Sequence, residues 1–121
     1  MNYLCLIYSD ENRWDALSKT EHEKMMGEYF EYTESIRKSG HYVGGNPLQS
    51  TRTATTIRVR DGKTSTSDGP FAETKEQLGG YYLIEAKDLN EAIQVASRIP
   101  GARYGSIEVR PIAEIGAVAS K

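Results

Sequence analysis

The chain has few cysteine and histidine residues, which stabilise many small proteins through disulfides or metal sites, and it has no long apolar run. Its 121 residues include one cysteine, Cys5, and two histidines, so no disulfide can form within the chain. Cys5 lies in an apolar run, which favours a buried, inert thiol over a reactive one. No His or Cys cluster has the spacing of a metal site, and we expect neither a metal nor another cofactor.

An excess of charge of one sign is also missing. Lys and Arg total 15 against 17 Asp and Glu, which gives a formal net charge of -2. No basic stripe is present, so we expect no nucleic-acid partner. No apolar stretch approaches the roughly 20 residues of a membrane span, and the start lacks the features of a signal peptide. We therefore expect a cytoplasmic protein without a membrane partner.

Length and composition predict a single domain. The 38% of hydrophobic and 26% of charged residues are typical of globular proteins. We expect one domain over residues 1–112. The tail, residues 113–121, is small and polar enough that we expect it to be flexible.

Apolar alternation predicts the strands. Residues 3–8 and 81–86 are apolar on both sides of the alternation, which indicates strands covered on both faces. Asp61-Gly62 predicts a two-residue turn between strands 54–60 and 63–66, with Ile57 and Val59 directed inward. Residues 41–43 read as a short extended piece that Gly44-Gly45-Asn46-Pro47 turns, and residues 106–112 as the last strand.

Two helices are predicted from caps and periodicity. Ser18 and Glu21 form a capping box, and Gly40 supplies a stop, so residues 18–39 should form a long helix. Its expected apolar stripe comprises Met25, Met26, Tyr29, Phe30, Thr33 and Ile36. If the Phe30 ring is buried, Phe30→Ala should cost about 3–5 kcal/mol. A second helix should follow Asp88 and end before Pro100-Gly101.

The order of elements predicts an α+β, ferredoxin-like βαββαβ fold with an extra β-hairpin. Both helices should cover one face of the sheet. The strands at residues 3–8 and 81–86 nevertheless carry apolar groups on both faces, so the second face requires a partner. A second copy would supply it, and we expect a homodimer. The alternative is a monomer with scattered exposed aromatic side chains.

The run DGPFAETKEQLGG, residues 68–80, resembles the signature of the DGPF branch of the YCII-related family. The first strand, the hairpin and the last strand are similar to that family too, so the resemblance covers nearly the whole chain. It implies a bacterial protein that pairs into a dimeric α+β barrel, in which two sheets close face to face and a cavity forms between sheet and helices or at the dimer seam.

The resemblance also implies two functions. A related branch contains a dehydrochlorinase acting on a chlorinated hydroxyquinol-type ring, and a His and an Asp have been proposed as a catalytic pair in the wider family. The Asp corresponds to Asp68, whereas Tyr29 occupies the position of the His. Genes of this branch often lie near those of extracytoplasmic-function sigma factors. A non-enzymatic regulatory partner of such a factor is therefore the alternative to a small-molecule enzyme or binder.

Asp68 and Tyr29 each allow a structural and a functional interpretation. Asp68 either accepts hydrogen bonds from the backbone two residues on or acts as a general acid or base at a cavity. Tyr29 is either a core tyrosine or a proton carrier to Asp68. Both belong to our predicted catalytic set.

The predicted ligand-binding set is Arg58, Glu108, Arg110 and His41. In the strands, the two arginines and Glu108 alternate with inward Ile and Val. If both sheet faces are covered, these charges line an enclosed space and must be paired or bind something. The alternative is a solvated strand face with weak cross-strand pairs. We expect a small organic acid or aromatic compound as ligand, and the residues do not define the reaction.

Overall fold

The computed structural model describes residues 1–114. Residues 115–121, most of the predicted tail, lie outside the described residues. The elements in chain order are β1 (Asn2–Ser9), α1 (Glu11–Asp15), α2 (Lys19–Lys38), β2 (Tyr42–Pro47), β3 (Thr55–Arg60), β4 (Lys63–Asp68), β5 (Gln77–Glu85), α3 (Leu89–Ala96) and β6 (Ser106–Pro111). Short 3-10 turns occupy Thr51–Thr53 and Pro100–Arg103.

Four strands form the main sheet, in the order β2-β5-β1-β6, and every neighbouring pair is antiparallel. Strands β3 and β4 form a separate two-stranded hairpin. With the hairpin set aside, the main sheet and the two longer helices have the ferredoxin-like arrangement. The predicted α+β fold class is therefore confirmed.

The predicted turn after residue 43 is wrong, because Gly44-Gly45-Asn46-Pro47 continues β2. Glycine is required here for close approach rather than for a turn. A Cβ on Gly45 would lie 2.8 Å from the carbonyl oxygen of Tyr81 in β5. Gly45 therefore lets β2 pair with β5 and complete the sheet.

The core lies between α2, α3 and one face of the sheet. Alternate residues of β1 and β5 point into it, among them Cys5 and Ile84, both fully buried. Ile36 of α2 and Ile99, just after α3, close it from the helix side. Within residues 1–114, the helices thus cover one face of the sheet and leave the other face uncovered.

Helix α2 begins and ends as predicted, with Ser18 and Glu21 forming the capping box. Its buried face is rotated from the predicted stripe. Ile36 is buried as predicted, but Phe30 is 70% exposed, and Tyr32, which is outside the predicted stripe, is buried. The Tyr32 hydroxyl donates to the Val95 carbonyl at 2.8 Å, so this tyrosine can be buried with its polar group satisfied. The condition for the predicted cost of Phe30→Ala does not hold.

The β3–β4 hairpin turns at Asp61 and Gly62, which have φ of 52° and 75°. This confirms the predicted turn. The expectation that Ile57 and Val59 point inward is wrong for the single chain, because they are 64% and 56% exposed. The hairpin is separate from the main sheet. Glu11 holds the 3-10 turn that precedes it, because its carboxylate accepts from the Thr51 N–H and hydroxyl at 2.6 and 2.7 Å.

Candidate functional site

The sheet face away from the helices is the main candidate site, and we call it the open face. The antiparallel register sets Leu4 between Leu83 and Arg110. One pleat further along β1, Leu6 lies between Tyr81 and Glu108. Side chains directly opposite one another share a face. These residues therefore form a small grid on the face that the helices do not cover.

Polar groups occupy the two edges of the open face. On the β2 side, the Asn46 amide donates to the Tyr81 hydroxyl at 2.9 Å. On the β6 side, the Arg110 guanidinium donates to the Glu108 carboxylate in an ion pair, with side chains 67% and 40% exposed. Gly44 lies opposite Leu83, and a Cβ there would contact nothing within 4 Å. The face thus combines an apolar centre, one aromatic ring and a charged edge.

This combination has the chemical character of a small-molecule site. Ligand sites are mainly apolar and aromatic, with a few polar groups that fix orientation. A guanidinium has five N–H donors, so Arg110 keeps donors for a ligand oxygen after it has bonded Glu108. Its planar fork matches the two oxygens of a carboxylate.

Asp68 is the last residue of β4 and lies opposite Thr55 in the hairpin. It is exposed, and no hydrogen bond to its carboxylate is present within residues 1–114. The predicted turn bond cannot form, because two residues on lies Pro70, which has no N–H. Gly69, with φ of 96°, makes the bend instead, and its N–H donates to the Ala54 carbonyl at 2.7 Å.

Tyr29 lies on the helix side of the sheet. Its hydroxyl accepts from the Gly101 N–H at 3.1 Å, and burial raises its pKa to about 12. The phenol is therefore neutral at ordinary pH. The sheet separates it from Glu108 and Arg110, and no contact joins it to Asp68.

His41 lies where α2 passes into β2. One ring nitrogen is 2.7 Å from the Ser39 hydroxyl and the other is 2.9 Å from the Glu91 carboxylate. The ring thus links the end of α2 to the start of α3. A shallow depression beside it is lined by Glu91, Gln94, Val95 and Arg98.

Arg58 is exposed on β3, opposite Ser65. Thr55 and Asp68 form a cross-strand pair three positions from Arg58 and Ser65. Because the side-chain period of a strand is two, Asp68 and Arg58 are on opposite faces of the hairpin. Of the six predicted site residues, only Glu108 and Arg110 contact each other.

Sequence reasoning missed Tyr81 and Asn46 as site residues. The sequence shows Tyr81 only as one member of an apolar strand, and it predicts a turn at Asn46. The signal that could have found them is the double-sided apolar pattern of residues 3–8 and 81–86, which predicts the open face but not the polar pair at its β2 edge.

Other reactive groups are inert or scattered. Cys5 is fully buried, and burial raises its pKa to about 11, as expected for an inert thiol. Within residues 1–114, no group of three or more His, Cys, Asp or Glu side chains could hold a metal ion. In the same range, no helix has the length and hydropathy needed to cross a membrane.

The fold and the open face define a ferredoxin-like α+β domain in which the described part of the chain leaves one sheet face uncovered. Residues 1–116 match the YCII-related domain, and the chain belongs to that family. An uncharacterised protein of Rhizobium meliloti is 41% identical over 115 residues, covering 93% of each chain.

A solved structure shares the fold. It is a 5-chloro-2-hydroxyhydroquinone dehydrochlorinase from Burkholderia phenoliruptrix, in complex with 2,5-dihydroxybenzoquinone. The TM-score is 0.50 at 16% identity, over 93% of this chain and 94% of that one. A similarity at this identity establishes the common architecture and leaves the activity of this chain open.

Proposed function

We propose that this protein binds a small organic acid or a hydroxylated aromatic ring in a cavity that forms when two copies close their open faces on each other. The observation that carries the proposal is the open face itself. Leu4, Leu6, Tyr81 and Leu83 are only partly covered in one chain, and an uncovered apolar sheet face is typical of an interface or ligand site.

The ion pair at the edge of this face gives the ligand its chemical class. Once a second copy covers the face, Arg110 and Glu108 leave bulk water. A covered ion pair needs further hydrogen bonds to offset its desolvation. A carboxylate or phenolate oxygen on the remaining donors of Arg110 supplies them. The apolar centre then packs against the ring or carbon chain of the ligand.

Asp68 supplies the acid–base chemistry in this proposal. Its carboxylate is free of hydrogen bonds within the described residues, so it is available to take a proton from a ligand hydroxyl or return one. Tyr29 stays a prediction as a second proton carrier. Its hydroxyl accepts a hydrogen bond from the Gly101 N–H. Arg58 and His41 also stay predictions as ligand contacts.

The comparison with the dehydrochlorinase supports the choice of ligand class. That enzyme has the same architecture and holds 2,5-dihydroxybenzoquinone, a ring with two acidic oxygens. A ring of this kind has the flat apolar body and the anionic oxygens that the open face accommodates. The compound is therefore a suitable probe of the open face.

Ligand-induced thermal shift tests the proposal, because a compound that binds only the folded protein raises its melting temperature. The probes are 2,5-dihydroxybenzoquinone, benzoate and catechol, with acetate as a background anion. Arg110→Leu should lose most of the shift. Arg98→Leu is the matched control, since Arg98 is on the helix side beside Tyr32. Each variant is compared with and without probe, so that changes in its own stability cancel.

Two further variants separate the roles. Asp68→Asn should keep ligand binding and lose any turnover of the probe. Arg58→Leu, compared with Arg110→Leu, decides which arginine meets the ligand. If no probe shifts the wild type, or if Arg110→Leu and Arg98→Leu behave alike, the proposed site is wrong, and the regulatory alternative gains.

A further inference from the structure

The β3–β4 hairpin, which we call the arm, has two chemically different faces. The pairings Ile57 with Thr66 and Val59 with Thr64 put two aliphatic and two threonine side chains on one face, the apolar face. The pairings of the opposite, basic face join Thr56 with Ser67, Arg58 with Ser65 and Arg60 with Lys63. All the cations of the arm are therefore on one face, and its large apolar side chains are on the other.

Within the described residues, the apolar face has nothing to pack against. Ile57 is 64% and Val59 56% exposed, and Phe71, three residues beyond the arm, is 82% exposed. A two-stranded hairpin by itself is marginally stable in water. Segregated faces of this kind are typical of a strand pair that is covered on its apolar side.

We propose that the apolar face of the arm is an interaction surface for a second copy of this chain. In the dimer, the arm of one copy lies beside the open face of the other. Asp68 shares the apolar face with Ile57 and Val59, so the same contact encloses its carboxylate next to the ligand cavity. This inference rests on the proposed function, since one second copy covers both surfaces.

The areas favour a second copy over an unrelated partner. Four strands spaced about 4.8 Å apart, each paired over roughly 20 Å, give the open face a planar area of about 400 Å². A stable interface buries about 800 Å² of accessible surface per partner, so this planar area is about half of that figure. The apolar face of an arm adds about 200 Å² by the same reckoning. In a two-fold dimer each copy gives one arm and receives one, which supplies the missing half.

Sedimentation equilibrium of matched arm variants tests the inference. Ile57→Ser with Val59→Ser should weaken dimerisation by at least about 100-fold, because each lost aliphatic side chain counts twice in a symmetric dimer. Arg60→Ser with Lys63→Ser, at the same end of the arm on the basic face, should leave the dissociation constant within about 3-fold, as expected for exposed charges. Circular dichroism checks that both variants fold.

Hydroxyl-radical footprinting of the wild type needs no variant. Oxidation of Ile57 and Val59 should fall as the protein concentration rises through the dimer dissociation constant. Equal weakening by both variant pairs, no weakening by Ile57→Ser with Val59→Ser, or oxidation that ignores concentration would overturn the arm contact. A dimer that depends on the arm but binds no probe would leave the arm contact standing and contradict the ligand site.

Discussion

The Tyr29 hydroxyl accepts a hydrogen bond from the Gly101 N–H at 3.1 Å. Glycine is the only residue type that fits at position 101 beside this hydroxyl. A Cβ on Gly101 would lie 2.6 Å from that hydroxyl oxygen and 3.2 Å from a methyl carbon of Ile7. The ring of Tyr29 thus joins α2 to the 3-10 turn after α3, through an atom pair 72 residues apart.

This relationship predicts a measurable coupling. Tyr29→Phe should lower the free energy of unfolding by about 1 kcal/mol through loss of the hydrogen bond. Gly101→Ala should cost about 1–3 kcal/mol through overpacking. The double variant should cost less than the two together, because without the hydroxyl the nearest ring carbon is 3.8 Å from the new Cβ. Urea unfolding of the four proteins gives the cycle, and strict additivity would show that the two residues do not interact.

The rotated stripe of α2 predicts opposite results for two apolar residues of one helix. Phe30→Ala should change the free energy of unfolding by less than about 0.5 kcal/mol, since the ring is mostly exposed. Ile36→Ala should cost about 2–5 kcal/mol, since the side chain is fully buried. Chemical denaturation decides. A large loss of unfolding free energy for Phe30→Ala would mean that the part of the predicted stripe that contains Phe30 faces the core.

Cys5 predicts a loss of stability in alkali. Burial raises its pKa from the ordinary 9.0 to about 11, so the unfolded chain releases this proton before the folded one does. The stability that the neutral Cys5 thiol contributes to the folded state is fully present below pH 9.0 and declines as the pH rises toward 11. Between about pH 8 and 10.5, Cys5→Ala should therefore lose less stability than the wild type does. An equal loss in both proteins, or rapid alkylation of the native thiol at about pH 8, would contradict the buried thiol.

The Ser39–His41–Glu91 chain predicts coupling across the helix ends. His41→Ala and Glu91→Ala should each destabilise the protein, and their interaction energy should be about 0.5–1.5 kcal/mol, because the 2.9 Å contact joins them. Thermal shifts with the ring probes should stay as in the wild type for Glu91→Ala. Loss of the probe shift in that variant would instead move the ligand site to the depression beside His41.

Much of the fold could be predicted from local signals. The Ser18 capping box, the Asp61-Gly62 turn and the Asp88 cap depend on neighbours within a few residues, and the structure confirms all three. The uncovered sheet face was also predictable, because apolar residues on both sides of β1 exceed what the helices can cover.

The remainder depended on contacts that sequence spacing does not report. Gly44-Gly45 carries a turn signature, yet close approach of β5 makes it strand. Phe30 is more apolar than Tyr32, yet Tyr32 is the buried ring, and the Val95 carbonyl satisfies its hydroxyl. The exposure of Ile57 and Val59 likewise depends on where the hairpin lies relative to the main sheet, which its alternating pattern does not report.

Cover for the open face is the central claim, and the mass of the protein in solution tests it most directly. Sedimentation equilibrium of the wild type should give twice the mass of one chain at micromolar concentration. Leu6→Asp, in the centre of the open face, should give a folded monomer. The same substitution at Leu89, 48% exposed at the start of α3, should leave the dimer intact. A wild type that sediments as a monomer up to the highest soluble concentration would contradict the account.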